Sequence, residues 1–205
     1  MANFAIMGFG TVGGGVAEVL RMNREAIEKR LGEPLCLKYI LDVRDLSASP
    51  YADKVVGDFS VLENDPDLDV VVESIGGAKV ALDFTRRALL AGKHVVTSNK
   101  ELVATHGREL LAIAREKNVN YLFEASVGGG IPLLRPIFQC LAGNEIEEIS
   151  GILNGTTNFI LTRMFQEGVT FDAALREAQE RGYAEQDPTA DVEGLDAGRK
   201  ICILA

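Results

Sequence analysis

The run Asn3 to Met7 is apolar after its first residue and stops at Gly8, and from Val12 to Arg30 apolar positions recur at helical spacing. Strand, tight turn and helix follow from that order. LCLKYIL, Leu35 to Leu41, supplies a second strand and completes a βαβ unit, and the polar segment behind it, with Ser47, Ser49 and Pro50, reads as loop. The alternation then recurs. DVVVES, Asp69 to Ser74, is a strand buried on both faces; Val80 to Ala91 is a helix stopped by Gly92; HVVTS, His94 to Ser98, is a strand; Glu101 to Lys117 is a helix; and YLFEA, Tyr121 to Ala125, is a strand. Nearly continuous apolar strands alternating with helices predict a parallel sheet covered by helices on both faces.

Past Ala125 the pattern changes. SVGGGIP is a glycine-rich joint, LLRPIFQCLAG a helix with Pro136 near its start, and EIEEISGILNG, Glu145 to Gly155, alternates as a strand does. TTNFILTRMF is helical, and Thr170 caps an amphipathic helix that runs to Arg181 and stops at Gly182. The expected fold class is α/β, a Rossmann-type doubly wound parallel sheet over residues 1–127, with a second, incomplete α+β substrate and dimerisation domain over 128–205.

The 205 residues are 47% hydrophobic and 25% charged, the balance of a folded globular chain. The net charge is -9 and no cluster of Lys and Arg with interleaved aromatics occurs, so no nucleic-acid partner is expected and a small-molecule substrate is favoured. Cys36, Cys140 and Cys202 are odd in number and scattered, which fits neither a disulfide framework nor a paired-cysteine zinc site. Their positions in one strand and two helices mark them as core residues. The start MANFAIMGFG lacks the basic region of a signal peptide, and no apolar run reaches the roughly 20 residues of a bilayer span. A cytoplasmic chain without a membrane partner is the expectation.

Gly8-Phe9-Gly10-Thr11-Val12-Gly13 matches GxGxxG. Alone the pattern is weak, but between a strand and a helix inside a βαβ unit it is a dinucleotide fingerprint. Gly8 allows the tight turn, Gly10 the approach of backbone to pyrophosphate and Gly13 the packing of helix on strand, while the amides of the helix N-terminus receive the pyrophosphate. At the end of the second strand, Asp42 could accept from a ribose 2'-hydroxyl and Arg44 could pair with a 2'-phosphate, which leaves NAD and NADP both open.

A nicotinamide cofactor transfers hydride, so the protein must position a carbonyl or alcohol and move one proton. His94 opens a strand and His106 lies within a helix. Neither is at the carboxyl edge of the sheet where such folds bind ligands, and both read as structural. Lys100 follows directly on HVVTS at that edge and sets a cation at the positive end of a helix, an arrangement poor for stability and therefore read as functional. Further on, AEQDPTADVEGLDAGRK gathers Glu185, Asp187, Asp191, Glu193 and Asp196 ahead of Lys200. Asp196 and Lys200 are four residues apart and share a helix face. The apolar ICILA behind them favours burial of the pair, whose desolvation cost points to chemistry more than to stability. Asp187, before Pro188, reads as a turn residue and Glu193 as solvated.

GFGTVGGGV, TSNKEL, EASVGGGIP, GILNGTTNFILTRM and YAEQDPTADVEGLDAGRK, in that order, together resemble homoserine dehydrogenase over nearly the whole chain. The resemblance implies NAD(P)-dependent interconversion of L-aspartate 4-semialdehyde and L-homoserine, a step toward threonine, methionine and isoleucine. The implied cofactor contacts are Gly8, Phe9, Gly10, Thr11, Val12, Gly13, Arg44, Ser98 and Lys100. By motif, Lys200 resembles the proton donor to the nascent alkoxide, and Asp196 its partner in orienting substrate and lysine. Glu185 resembles the holder of the substrate's amino group, Asp191 another carboxylate of that pocket, and Lys100 a lysine shared between the nicotinamide region and the substrate. The family also implies a monovalent cation, usually sodium, held by the Glu124 side chain and the carbonyls of Val127, Gly129 and Ile131, and a homo-oligomer formed through the second domain. Its catalytic region continues beyond the point where this chain stops, so a C-terminally truncated region is expected. The alternatives are a cofactor-binding fragment without turnover, or a related amino-acid or semialdehyde dehydrogenase.

Overall fold

The computed structural model describes residues 1–205, which divide into two compact units, Met1–Leu133 and Leu134–Ala205. The first unit runs β1 (Ala2–Met7), α1 (Thr11–Met22), α2 (Arg24–Leu31), β2 (Leu35–Leu41), β3 (Val55–Val56), α3 (Ser60–Glu63), β4 (Val70–Glu73), α4 (Lys79–Leu90), β5 (His94–Thr97), α5 (Lys100–Glu116) and β6 (Tyr121–Leu122). The strands form one sheet in the order β3-β2-β1-β4-β5-β6, and every neighbouring pair is parallel. Strand order reverses beside β1, and at such a switch point the diverging connections leave a crevice over the carboxyl ends of the strands. β1 is the centre of the core: Phe4 to Met7 are all buried, because both faces of a parallel sheet are covered by helices.

The helix expected from Val12 to Arg30 is two helices. Asn23 leaves helical geometry and donates its side-chain amide back to Val19 O, and its own carbonyl accepts from Ile27 N–H to begin α2. Asparagine bonds to nearby backbone in this way and so competes with the helix ladder. α2 buries no residue, so tertiary packing does not pull the two pieces into one axis. The last strand is also shorter than YLFEA. Only Tyr121 and Leu122 find partners on β5, and the chain then tightens into a 3-10 turn at Glu124–Ser126, where Ser126 Oγ donates to Phe123 O.

The second unit has a single π-type turn at Pro136–Cys140, followed by α6 (Gly155–Glu167), α7 (Phe171–Glu180), α8 (Thr189–Val192) and α9 (Leu195–Leu204). α6 and α7 are capped by Asn154 and Thr170 and end in left-handed Gly168 and Gly182. They close on a small core of Ile160, Ala174, Ala178 and Ala184. The strand expected over Glu145 to Gly155 is absent. Residues 134–205 contain no other strand, and alternation alone cannot make a strand without a partner for its backbone groups. Ile146 and Ile152 are accordingly exposed. The cysteines also depart from the expectation of core residues: Cys36 is half-buried, and Cys140 and Cys202 are exposed. No helix is long and apolar enough to cross a membrane.

Candidate functional site

The fingerprint turn is built by contacts that only glycine permits. Gly8 has φ 86, and a Cβ on it would fall 2.8 Å from Ser74 O. Ser74 Oγ donates to Gly8 O at 2.7 Å, tying this turn to the one after β4. A Cβ on Gly13 would lie 2.0 Å from Gly8 O, so α1 sits directly on the turn. Gly10 is different: space beside it is open, and no side chain caps the N-terminus of α1 that it begins. Backbone amides that lack a protein partner at this point are what a pyrophosphate requires. Thr11 and Val12 are exposed on the first turn of α1, and Phe9 packs edge-on against Tyr51.

Beside this turn is a cleft of about 410 Å³ whose lining includes Gly8, Gly10, Asp42, Arg44, Ile75 and Gly76. Asp42 is nearly buried and Arg44 is half-exposed. One carboxylate oxygen of Asp42 accepts from Phe9 N–H at 2.6 Å, and the pair grips the Arg44 guanidinium at 2.9 and 2.7 Å. That guanidinium, with the Arg44 and Phe9 amides, holds the Asp42 carboxyl well below the usual carboxylate range. Asp42 thus braces the fingerprint and Arg44, whose remaining N–H groups can still meet an anion.

At the next carboxyl edge, Asn99 caps α5 through Leu102 N–H, and its amide donates to Ile75 O and Gly77 O. Ser98 and Lys100 flank it, both half-buried, with Lys100 as the first residue of α5. Sequence reasoning missed Glu73, which is completely buried and accepts from Thr97 Oγ1 at 2.5 Å and Ile75 N–H at 2.7 Å. Burial pushes its carboxyl up. The available signal was a lone acid closing an apolar strand.

In the second unit the Lys200 ammonium lies 2.9 Å from Asp196 Oδ2 and donates to Leu153 O at 2.8 Å. Asp196 is 6% exposed, so the pair shared by one helix face is also a desolvated one. Asn154 organises it. Its amide donates to Asp191 Oδ1 at 2.7 Å and to Asp196 Oδ2 at 3.1 Å, while its carbonyl oxygen caps α6 by accepting from Thr157 N–H. Asp191, Asp196 and Lys200 are therefore brought together by a residue that sequence reasoning passed over, although Asn followed by Gly155, Thr156 and Thr157 is a cap signature. Glu185 is exposed and outside this hydrogen-bonded group. Asp187 accepts from Thr189 in a turn, and Glu193 is exposed, as expected of both.

The loop expected to hold a cation is folded on itself. Glu124 Oε1 accepts from Leu133 N–H, and Ile131 O stands where a Cβ on Gly128 would be only 2.4 Å away. The donors named for that site, one carboxylate with the carbonyls of Val127, Gly129 and Ile131, are all hard oxygens and fit an alkali cation. No cluster of three or more His, Cys, Asp or Glu side chains could hold a metal.

Residues 8–124 match the family model for the homoserine dehydrogenase NAD-binding domain, and residues 132–205 match that for homoserine dehydrogenase. Homoserine dehydrogenase of Neisseria gonorrhoeae is 45% identical across 99% of the chain, and that of Bacillus subtilis is 46% identical across 98%. The chain spans about half of these relatives' length, 47% in each case. The crystal structure of a homoserine dehydrogenase from Thiobacillus denitrificans superposes with TM-score 0.90 at 44% identity, over 99% of this chain and 48% of that one. A hyperthermophilic archaeal homoserine dehydrogenase in complex with NADPH gives TM-score 0.84 at 30% identity, over 99% of this chain and 68% of that one. With a switch-point fingerprint in one unit and a lysine–carboxylate group in the other, matched in sequence and in fold, the chain belongs to the homoserine dehydrogenase family.

Proposed function

We propose that the protein interconverts L-aspartate 4-semialdehyde and L-homoserine with a nicotinamide cofactor. The observation that carries this reading is the buried Lys200–Asp196 pair, organised by Asn154 with Asp191 beside it. When bound, the cofactor supplies or accepts the hydride. Lys200 delivers a proton from Nζ to the alkoxide oxygen that forms at the former aldehyde carbon, and withdraws it in the opposite direction. Asp196, with Leu153 O, aims that lysine. Asp191 and Glu185 offer carboxylates to the ammonium of an amino-acid substrate. Gly8 to Gly13 receive the pyrophosphate, and Ser98 and Lys100 serve the nicotinamide end. The partly spent but half-exposed Arg44 guanidinium favours a 2'-phosphate, hence NADP over NAD. Glu124 with the carbonyls of Val127, Gly129 and Ile131 would hold a sodium ion.

The same reading places the protein in the cytoplasm, as a homo-oligomer, in the route toward threonine, methionine and isoleucine. A phosphorylating semialdehyde dehydrogenase would need an activated thiol. Cys140 and Cys202 are exposed, yet residues 134–205 contain no histidine to activate either. In the test, Lys200→Ala abolishes turnover with NADPH and L-aspartate 4-semialdehyde while NADPH affinity stays as in the unaltered chain. Full turnover in that variant would remove Lys200 from the mechanism.

A further inference from the structure

Glu73 and Thr97 are register partners at the last rung between β4 and β5. Their side chains begin a directed set of hydrogen bonds. Asn99 N–H donates to Thr97 Oγ1 at 2.9 Å, Thr97 Oγ1 donates to Glu73 Oε2 at 2.5 Å, and Ile75 N–H donates to Glu73 Oε1 at 2.7 Å. Asn99 Nδ2 closes the loop by donating to Ile75 O and Gly77 O at 3.2 and 2.8 Å. Ser74, between them, holds Gly8 O. Three turns at one sheet edge, those after β1, β4 and β5, are thus fastened to each other, and two of them converge on the Glu73 carboxylate.

No Lys or Arg pairs with Glu73, although it is fully buried. A lone buried carboxylate is a costly way to gain stability. The direction of the bonds explains why an acid stands there. Thr97 has one hydroxyl proton, and while its oxygen accepts from Asn99 N–H that proton is delivered to residue 73, which accepts it. It must accept from Ile75 N–H as well. A carboxylate does both. A glutamine of the same shape has one carbonyl oxygen for the two donors, so either Ile75 N–H loses its acceptor or the Thr97 hydroxyl must turn its proton away and take the NH2 on its second lone pair.

We infer that Glu73 is a positioning residue for cofactor binding, acting through Thr97 and Ile75 to hold the Ser74–Gly77 turn, which lines the cleft beside the fingerprint, and the turn that presents Lys100. The inference rests on the nicotinamide reading above and adds to it a residue that touches no cofactor. The test is NADPH binding to the full chain, followed by fluorescence titration, for the unaltered protein, Glu73→Gln, Thr97→Val and Thr97→Ser, each checked for folding by circular dichroism. Glu73→Gln and Thr97→Val weaken NADPH binding about tenfold in a folded chain, and Thr97→Ser, which keeps the hydroxyl, stays within about twofold. A purely structural role would lower the melting temperature and leave the affinity of the folded chain alone. Should Glu73→Gln fail to fold, the Thr97 pair carries the same test. Equal affinity in all variants, or equal loss in Thr97→Ser and Thr97→Val, would overturn the inference. An unaltered chain that does not bind NADPH would instead overturn the cofactor reading itself, and the inference with it.

Discussion

Gly13→Ala perturbs the fingerprint at its tightest point. The added methyl would lie 2.0 Å from Gly8 O, 2.9 Å from Ser74 Oγ and 3.0 Å from Ile6 Cγ2. The first of these is backbone in a turn whose φ is already 86, so it cannot move aside as a flexible side chain would. α1 has to lift off β1, loosening the cluster of Phe4, Ile6 and Ala17 that it covers. Overpacking of this kind costs about 1 to 3 kcal/mol, with the upper end expected where backbone blocks the way. Against that stands a gain of roughly 0.5 to 1 kcal/mol for replacing glycine in a helix. The net loss is about 2 kcal/mol, a fall in melting temperature of roughly 4 to 8 °C for a chain of this size. Lifting α1 also moves its N-terminal amides, so NADPH binding weakens in parallel. Two neighbours calibrate the measurement. Gly14→Ala meets nothing within 4 Å and should raise stability by roughly 0.5 to 1 kcal/mol. Gly10→Ala, also in open space, should leave stability within about 0.5 kcal/mol and yet weaken NADPH, because the second glycine of the fingerprint lets backbone approach the pyrophosphate. Thermal melts and NADPH titrations on the three variants decide the matter. Gly13→Ala melting with the unaltered chain would refute the packing of α1 on Gly8.

Asp42→Ala leaves the Phe9 amide without its acceptor and should cost about 1 to 3 kcal/mol at neutral pH, read by urea unfolding. Because the fold lowers the Asp42 pKa, this contribution is present above the ordinary value of 3.8 and is lost as pH falls through the folded value, so the gap between variant and parent closes in acid. Arg44→Ala should weaken NADPH and leave NADH nearly unchanged; equal losses in paired titrations would show that Arg44 does not read the 2'-phosphate. Lys200→Ala removes one partner of the buried Asp196 carboxylate, which keeps Asn154, and should destabilise the second unit by about 1 to 3 kcal/mol, measured as a lowered melting transition; an unchanged melt would mean that the pair adds nothing to stability. Glu73 works in the opposite sense to Asp42. Its pKa is raised in the fold, so its stabilising contribution is complete below 4.5 and declines as pH rises through the folded value, and Glu73→Gln should gain relative to the parent as pH increases above 4.5. A melting-temperature difference that stays constant with pH would contradict the burial of that carboxyl.

β2 was legible to the residue and β1 nearly so, since both are apolar runs bounded by breakers, and the fingerprint was legible because its glycines fall between a strand period and a helix period. β3 and α3, of two and four residues, are too short to carry any period. Glu145 to Gly155 has the alternation of a strand but no partner in its own unit, and pairing is a property of two segments. The acidic stretch was half legible. Asp196 and Lys200 announce themselves by spacing, whereas Asn154 gains its meaning from Asp191 and Asp196, 37 and 42 residues away. Glu73 likewise depends on Thr97, 24 residues on, and its local mark is no more than an acid closing an apolar strand. Local periodicity reaches elements; hydrogen bonds between distant turns are outside its range.

The most direct measurement is consumption of NADPH by the chain in the presence of L-aspartate 4-semialdehyde, with the product identified by chromatography and NADPH affinity titrated alongside. The account predicts that NADPH disappears in step with the appearance of L-homoserine, and that Lys200→Ala ends this while still binding NADPH. NADPH bound tightly by the unaltered chain, with no homoserine formed, would contradict it.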